Sequence, residues 1–353
     1  METAHSRPTG CIRPYKTKSG QFVRCQSRVR SSCPSCAELY RGDWAAIARS
    51  GVFDSDVTRF RFYLLTLTAP SFGRVHRVPR SESSRLKRCG CGATHTRRDA
   101  GLRGVPLDPS SYDYAGQVAW NRDAGVLWDR TRRRVRDRWD SVEFFLVREW
   151  QERGVLHLHV IVRIDRLESP DPLALREAAR TAEAASKIDG TLVGWGDQAD
   201  AKAFRADGDG AKTIWYLSKA LNYVMKDTAL AAMGGAGSNL AWVHLTALSH
   251  AARAIRCSRD CVPSECASRV HDRYGSRSHV VSASRQTRHR SGWSFTGLTR
   301  KVQRTLRAAW ASARAQDAPA AEPAPAPRNQ EGADAARSSL NHRIDVARSA
   351  ALP

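Results

Sequence analysis

Residues 144–163, FFLVREWQERGVLHLHVIVR, are the stretch whose reading decides the fold. Its two halves are rich in β-branched and aromatic residues and are joined by Glu152, Arg153 and Gly154, which suits a three-residue hairpin loop with glycine at the left-handed position. Such a loop sets Gln151 opposite Val155, Glu149 opposite His157 and Val147 opposite His159, and directly opposed residues share a face. Glu149, His157 and His159 therefore converge on one side of the hairpin. Leu156, Leu158, Val160 and Val162 point to the other, where helices can cover them. A two-residue loop would send Glu149 away from both histidines, so the reading depends on turn length. Two imidazoles and a carboxylate with open positions suit a hydrated divalent cation such as Mg²⁺ or Mn²⁺, although imidazole also suits zinc, cobalt or nickel. The alternative is a pair of surface histidines on a half-exposed strand.

The chain has 353 residues, enough for two or three modules and a sizeable core. Its 57 Lys and Arg against 35 Asp and Glu leave a formal charge of +22. Such an excess points to a polyanionic partner, most simply nucleic acid, the alternative being solubility alone. The opening METAHSRPTG has no apolar core of the kind a secretory signal needs. The uncharged run 228–252 is interrupted by Gly234, Gly235 and Gly237 and reads as helix, loop and helix rather than a membrane span. The expectation is a cytoplasmic protein with no membrane partner, whose nine cysteines are metal ligands or free thiols rather than disulfides.

The cysteines fall into three groups. Cys11, Cys25, Cys33 and Cys36 form C-x13-C-x7-C-x2-C, a tetrahedral zinc signature with a CPSC knuckle. Cys89, Cys91 and His95 make a tighter cluster, one ligand short unless His76 or Asp99 completes it. Cys257, Cys261, Cys266 and His271 match no short motif, and buried thiols are the alternative throughout.

Around the hairpin the chain divides into an N-terminal cysteine module, residues 1–50, that closes with a short helix stopping at Gly51, then a larger domain, 51–300, and a C-terminal part, 301–353. The larger domain holds a buried strand over 59–69 and a Cys/His insert at about 75–115. A helix over 120–139 has an arginine row (Arg130, Arg132, Arg133, Arg134, Arg136 and Arg138) suited to phosphates or merely solvated. Further helices are expected over 169–188 and 211–227, with a strand over 192–195 between them. The C-terminal part is one basic helix and then an Ala/Pro-rich tail lacking the apolar content to pack. On the 211–227 helix Tyr216, Lys219 and Tyr223 lie on one stripe, and a phenol beside a cation has its pKa lowered and can attack phosphorus. Core packing with polar tips is the competing account of that stripe.

Taken in order, RCQSRVRSSCPSCAELYRGD, LLTLTAPSFGRVHR, YDYAGQVAWNRDAGVLW, VREWQERGVLHLHVIVRID, LVGWGDQ and YLSKALNYVMKD resemble the HUH endonucleases. More closely, the chain resembles the replication initiators of actinobacterial rolling-circle plasmids, over residues 11–306. The resemblance implies an α+β domain with an antiparallel sheet, ferredoxin-like or RRM-like. It implies divalent-metal ligation (Mg²⁺ or Mn²⁺) by His157 and His159 with Glu149 as third ligand, and Tyr216 as nucleophile with Lys219 beside it. Ala220 stands where relatives carry a tyrosine, leaving Tyr223 as the candidate second one, and PLDPSSYDY carries no cysteine where some relatives do. The activity so implied is site-specific nicking and joining of single-stranded or hairpin plasmid-origin DNA through a 5′-phosphotyrosine, with structural Zn²⁺ and with host helicase and polymerase as partners. An HUH transposase or conjugative relaxase would share that chemistry. A non-catalytic zinc-containing DNA-binding regulator and a zinc-stabilised RNA-binding protein would fit the charge without it.

Overall fold

The computed structural model describes residues 10–54, 57–81, 84, 86–214, 239–277 and 279–317. Residues 1–303 form one compact unit and 304–353 a second, of which the described part is helical. The elements, in chain order, are β1 (Tyr15–Lys16), β2 (Phe22–Val23), α1 (Pro34–Phe53), β3 (Phe60–Thr68), α2 (Tyr114–Arg136), β4 (Glu143–Trp150), β5 (Leu156–Asp165), α3 (Pro172–Arg180), β6 (Glu183–Ala185), β7 (Leu192–Gly194), β8 (Asp200–Phe204), α4 (Asn239–Ala254), β9 (Val281–Ala283) and α5 (Arg300–Asp317). The architecture is α+β. A five-stranded, wholly antiparallel sheet runs in the order β8-β3-β5-β4-β9, which puts β5 at its centre.

Alternation along the strands sends successive side chains to opposite faces. Leu156, Leu158, Val160 and Val162 of β5, with Phe144 and Leu146 of β4, pack under α2 (Val118, Leu127, Trp128), α3 (Leu175, Ala178) and α4 (Leu245, Leu248). On the reverse face Phe62, Phe145, Val147 and Ile161 meet Ile47, Ala48 and Val52 of α1 together with Trp293. The Trp293 indole, fully buried, donates to the Ile47 carbonyl at 3.0 Å and locks α1 to the sheet. Each large apolar side chain buried in this way contributes about 1.5–3 kcal/mol, so both faces are firmly covered.

Three sequence expectations change. The helix foreseen over 120–139 begins at Tyr114, because the Asp113 carboxylate accepts from the Gly116 amide at 2.7 Å and caps it there. The helix foreseen over 169–188 covers only Pro172–Arg180. Its alanine-rich continuation is strand β6, paired with β7 in a two-stranded sheet that buries Ala184 and Val193 in the core of α2. The short helix foreseen to end the first module is the 20-residue α1, whose second half belongs to the sheet's core rather than to the cysteines.

Candidate functional site

The hairpin closes as a three-residue loop. The Gln151 amide donates to the Val155 carbonyl at 2.9 Å, the Gly154 amide donates to the Gln151 carbonyl at 2.9 Å, and Gly154 takes φ +76°. The register is Glu149 against His157 and Val147 against His159. Buried polar side chains of α2 and α4 hold the turn in place. Asn121 donates to the carbonyls of Gly154 and Tyr274, both at 3.0 Å, and accepts from the Leu156 amide at 3.1 Å. Gln117 donates to the Arg153 carbonyl at 2.8 Å, and His244 donates to the same oxygen through Nε2 at 3.1 Å. The sequence alone does not single out Asn121, Gln117 or His244. Their only signal is polarity at positions on the inward face of an amphipathic helix. Gly154→Ala is expected to destabilise the protein by about 1–2 kcal/mol, the cost of a left-handed backbone for a residue with a Cβ, a loss that urea unfolding measures directly.

On the α1 side of the sheet, His159 is buried and its Nε2 donates to Glu149 Oε2 at 3.1 Å. The rings of His157 and His159 stand edge to face with centroids 4.5 Å apart. His159 Nδ1 lies 3.5 Å from Thr66 Oγ1 on β3, and His157 Nδ1 lies 3.3 Å from Gln151 Nε2. Burial, with the neighbouring His159, Arg80 and Arg153, holds His157 down to about 3, so its imidazole is neutral. Imidazoles and a carboxylate on one face of a hairpin are the kinds of donor a divalent cation takes. Unlike the donors of the cysteine clusters, those of Glu149, His157 and His159 do not all lie within 4.8 Å of one another.

Each of the three cysteine groups assembles four ligands, all donors within 4.8 Å of one another. Zinc bound to sulfur at about 2.3 Å and to imidazole nitrogen at about 2.0–2.1 Å gives a tetrahedron with edges of about 3.8 Å (S–S), about 3.5 Å (S–N) and about 3.3 Å (N–N). The observed separations follow those edges. Cys11 and Cys36 sulfurs are 3.7 Å apart, as are those of Cys257 and Cys266. Cys261 Sγ stands 3.6 Å from His271 Nε2, Cys91 Sγ 3.3 Å from His95 Nε2, and His76 Nδ1 3.1 Å from His95 Nε2. The middle cluster is thus completed by His76, not Asp99, whose carboxylate instead accepts from the Thr96 amide and caps the short 3₁₀ turn at residues 97–102. His271 Nδ1 donates to the Ala252 carbonyl at 2.6 Å, which fixes its tautomer and leaves Nε2 free to bind a metal. Burial opposes ionisation of Cys33, but amide donors from Cys36 and Ile12 outweigh it and hold the thiol down at about 6, while burial and its sulfur neighbours push Cys36 up to about 12. All three donor sets fit zinc.

Tyr216, Lys219 and Tyr223 lie outside the described residues, which are helical over 210–214 where the description stops. A family model described as "RepSA: Replication initiator protein, pSAM2" matches residues 2–339. The chain belongs to the RepSA family. A RepSA relative, the "Replication initiator protein" of Streptomyces ambofaciens, is 35% identical over 228 residues, covering 54% of this chain and 48% of that protein. This RepSA chain therefore spans about half the length of the curated relative it matches. No solved structure matches it. Among the described residues no helix is long and apolar enough to cross a membrane.

Proposed function

We propose that this chain initiates plasmid replication as an HUH-type endonuclease that nicks and rejoins one strand of origin DNA, starting rolling-circle synthesis. The observation that carries the reading is the pair formed by half-buried Glu149 and buried His159, 3.1 Å apart beside His157 on the central hairpin of an antiparallel sheet, in a chain of a replication-initiator family. A surface pair of histidines would have no reason to gather a carboxylate in register. Glu149, His157 and His159 would hold a divalent cation, Mg²⁺ or Mn²⁺, which supplies Lewis-acid polarisation of the scissile phosphate. Thr66 Oγ1, facing His159 Nδ1, orients that imidazole.

Tyr216 Oη attacks phosphorus, the P–O3′ bond breaks, and O3′ takes up a proton to become the hydroxyl that primes synthesis. The phenol loses its proton, and the Lys219 ammonium steadies the resulting charge. The strand stays linked to Tyr216 through its 5′-phosphate, so the reverse attack by a 3′-hydroxyl reseals it without a nucleotide cofactor. Tyr223 is the candidate for a second transfer. The substrate is single-stranded or extruded hairpin DNA, because a duplex hides the phosphate from in-line attack, and host helicase and polymerase take over from the nick. Zinc at the three cysteine centres is structural, tying the N-terminal segment, the 74–112 insert and the segment after α4 to the core.

The test is incubation of the full chain with labelled single-stranded DNA from the origin beside its gene, in Mn²⁺. A protein–DNA adduct that is absent in Tyr216→Phe is the expected result. Origin binding without an adduct would instead make the chain a zinc-containing DNA-binding regulator.

A further inference from the structure

A cleft of about 930 Å³ opens between α2 and the β4–β9 edge of the sheet, lined by nine arginines and one lysine against three carboxylates. Arg132, Arg133 and Arg136 enter from α2, Arg148 from β4, and Arg285 and Arg290 from the chain following β9. The sequence made only the α2 row visible. The fold faces it with arginines from distant parts of the chain. Crowding is felt: burial and the neighbouring Arg290 and Arg132 pull Arg136 below the usual guanidinium range.

Arg148 is the informative member. It is 6% exposed, its Nη1 donates to the His279 carbonyl, and its buried Nε has no hydrogen-bond partner among the described residues. Among those residues no carboxylate lies within ion-pair distance of it. Asp129 is the acid that acts on its charge, and that acid is already shared by Arg132 at 2.8 Å and Arg133 at 3.4 Å. The equally buried Arg163, whose Nε likewise has no hydrogen-bond partner among the described residues, shows how many acceptors the fold gives the Nη atoms of a purely structural guanidinium. It donates to the carbonyls of Gly51, Trp293 and Gly292 at 2.7–2.9 Å and lies 3.7 Å from the Phe295 ring centroid. A buried cation without such satisfaction is costly, and a phosphate oxygen entering the cleft would supply the missing acceptor and the missing charge.

We propose that this cleft binds the backbone phosphates of DNA flanking the cleavage position, with Arg148 as its buried anchor. The proposal rests on the nicking reading only for the identity of that DNA. Glu149 and Arg148 are consecutive residues of one strand and point to opposite faces. Strand chemistry and backbone grip therefore sit back to back across β4, and bound DNA passes around the β9 edge from one face to the other.

The experiment measures affinity of the full chain for a short fluorescein-labelled DNA strand of arbitrary sequence, its duplex and the matching RNA, across a salt series with no divalent cation added. The double variant Arg132→Gln/Arg133→Gln is expected to weaken DNA binding about tenfold at fixed salt. It should also flatten the slope of log affinity against log salt by about 0.7–0.9 for each phosphate that is no longer neutralised. Asp129→Asn, which releases both arginines, is expected to tighten binding severalfold. Arg148→Lys keeps the charge but not the fork and is expected to weaken it severalfold. Unchanged affinity and slope in the Arg132/Arg133 double variant would overturn the proposal whether or not the Arg148 variant folds. So would RNA bound in preference to DNA through the same arginines. Since no cleavage enters the measurement, a chain that fails to nick leaves this test intact, and a flat result here leaves adduct formation standing.

Discussion

His159→Ala is expected to slow strand cleavage about a thousandfold or more while salt-dependent DNA binding changes little. The Lewis-acid assistance lost with a catalytic cation is several kcal/mol, and about 4 kcal/mol corresponds to a factor of about 10³ in rate. His159 is buried on the central strand, with Nε2 on Glu149 and Nδ1 facing Thr66, so its removal takes away the donor in contact with that carboxylate. Glu149→Ala should behave in the same way, and Glu149→Gln should lose activity while retaining the shape of the side chain. Single-turnover cleavage of a labelled strand, read beside fluorescence anisotropy on the same samples, separates the two quantities. Equal loss of cleavage and binding would assign the pair a structural role and withdraw the cation.

Cys33→Ser is expected to release one zinc per chain and lower the thermal midpoint by roughly 10 °C. Structural zinc contributes about 10–16 kcal/mol in small zinc-dependent folds. Loss of about 4 kcal/mol through one weakened ligand shifts the midpoint by about 2–4 °C per kcal/mol. Cys33 is fully buried at the start of α1, and that helix supplies Ile47, Ala48 and Val52 to the core behind Phe145 and Val147. Damage at the metal centre therefore spreads to the sheet face that carries Glu149. Metal analysis with circular dichroism melting measures both effects. An unchanged midpoint and zinc content would mean that these cysteines are only buried thiols.

The hairpin was legible from sequence because its information is local: a glycine able to take φ > 0, three loop residues, and a period of two that leaves the pairing no freedom. The Cys/His clusters were legible in proportion to how local they are. The CPSC knuckle shows itself, whereas His76 reaches Cys89 and Cys91 because the insert folds back, its Val75 bridging to Pro106 and Arg88 to Thr94. The Cys257, Cys261, Cys266 and His271 set depends on the 3₁₀ turn at His271–Arg273 docking against α4, a tertiary event that no spacing rule encodes. Residues 181–188 read as helix because alanine favours it. Pairing of Ala184 with Val193 over α2 decided otherwise. Asn121, Gln117 and Arg148 were silent for the same reason: a buried polar residue acquires its meaning only from what lies across from it.

The most direct test of the central claim is mass spectrometry of the tryptic peptide left attached to origin DNA. Cleavage after Lys212, Lys219 and Lys226 divides the candidate helix into 213–219, holding Tyr216, and 220–226, holding Tyr223. The nicking account predicts the DNA-linked mass on TIWYLSK at Tyr216. A nucleotide on 220–226 or another peptide with none on 213–219, or no linked peptide under conditions where the strand is cut, would contradict it.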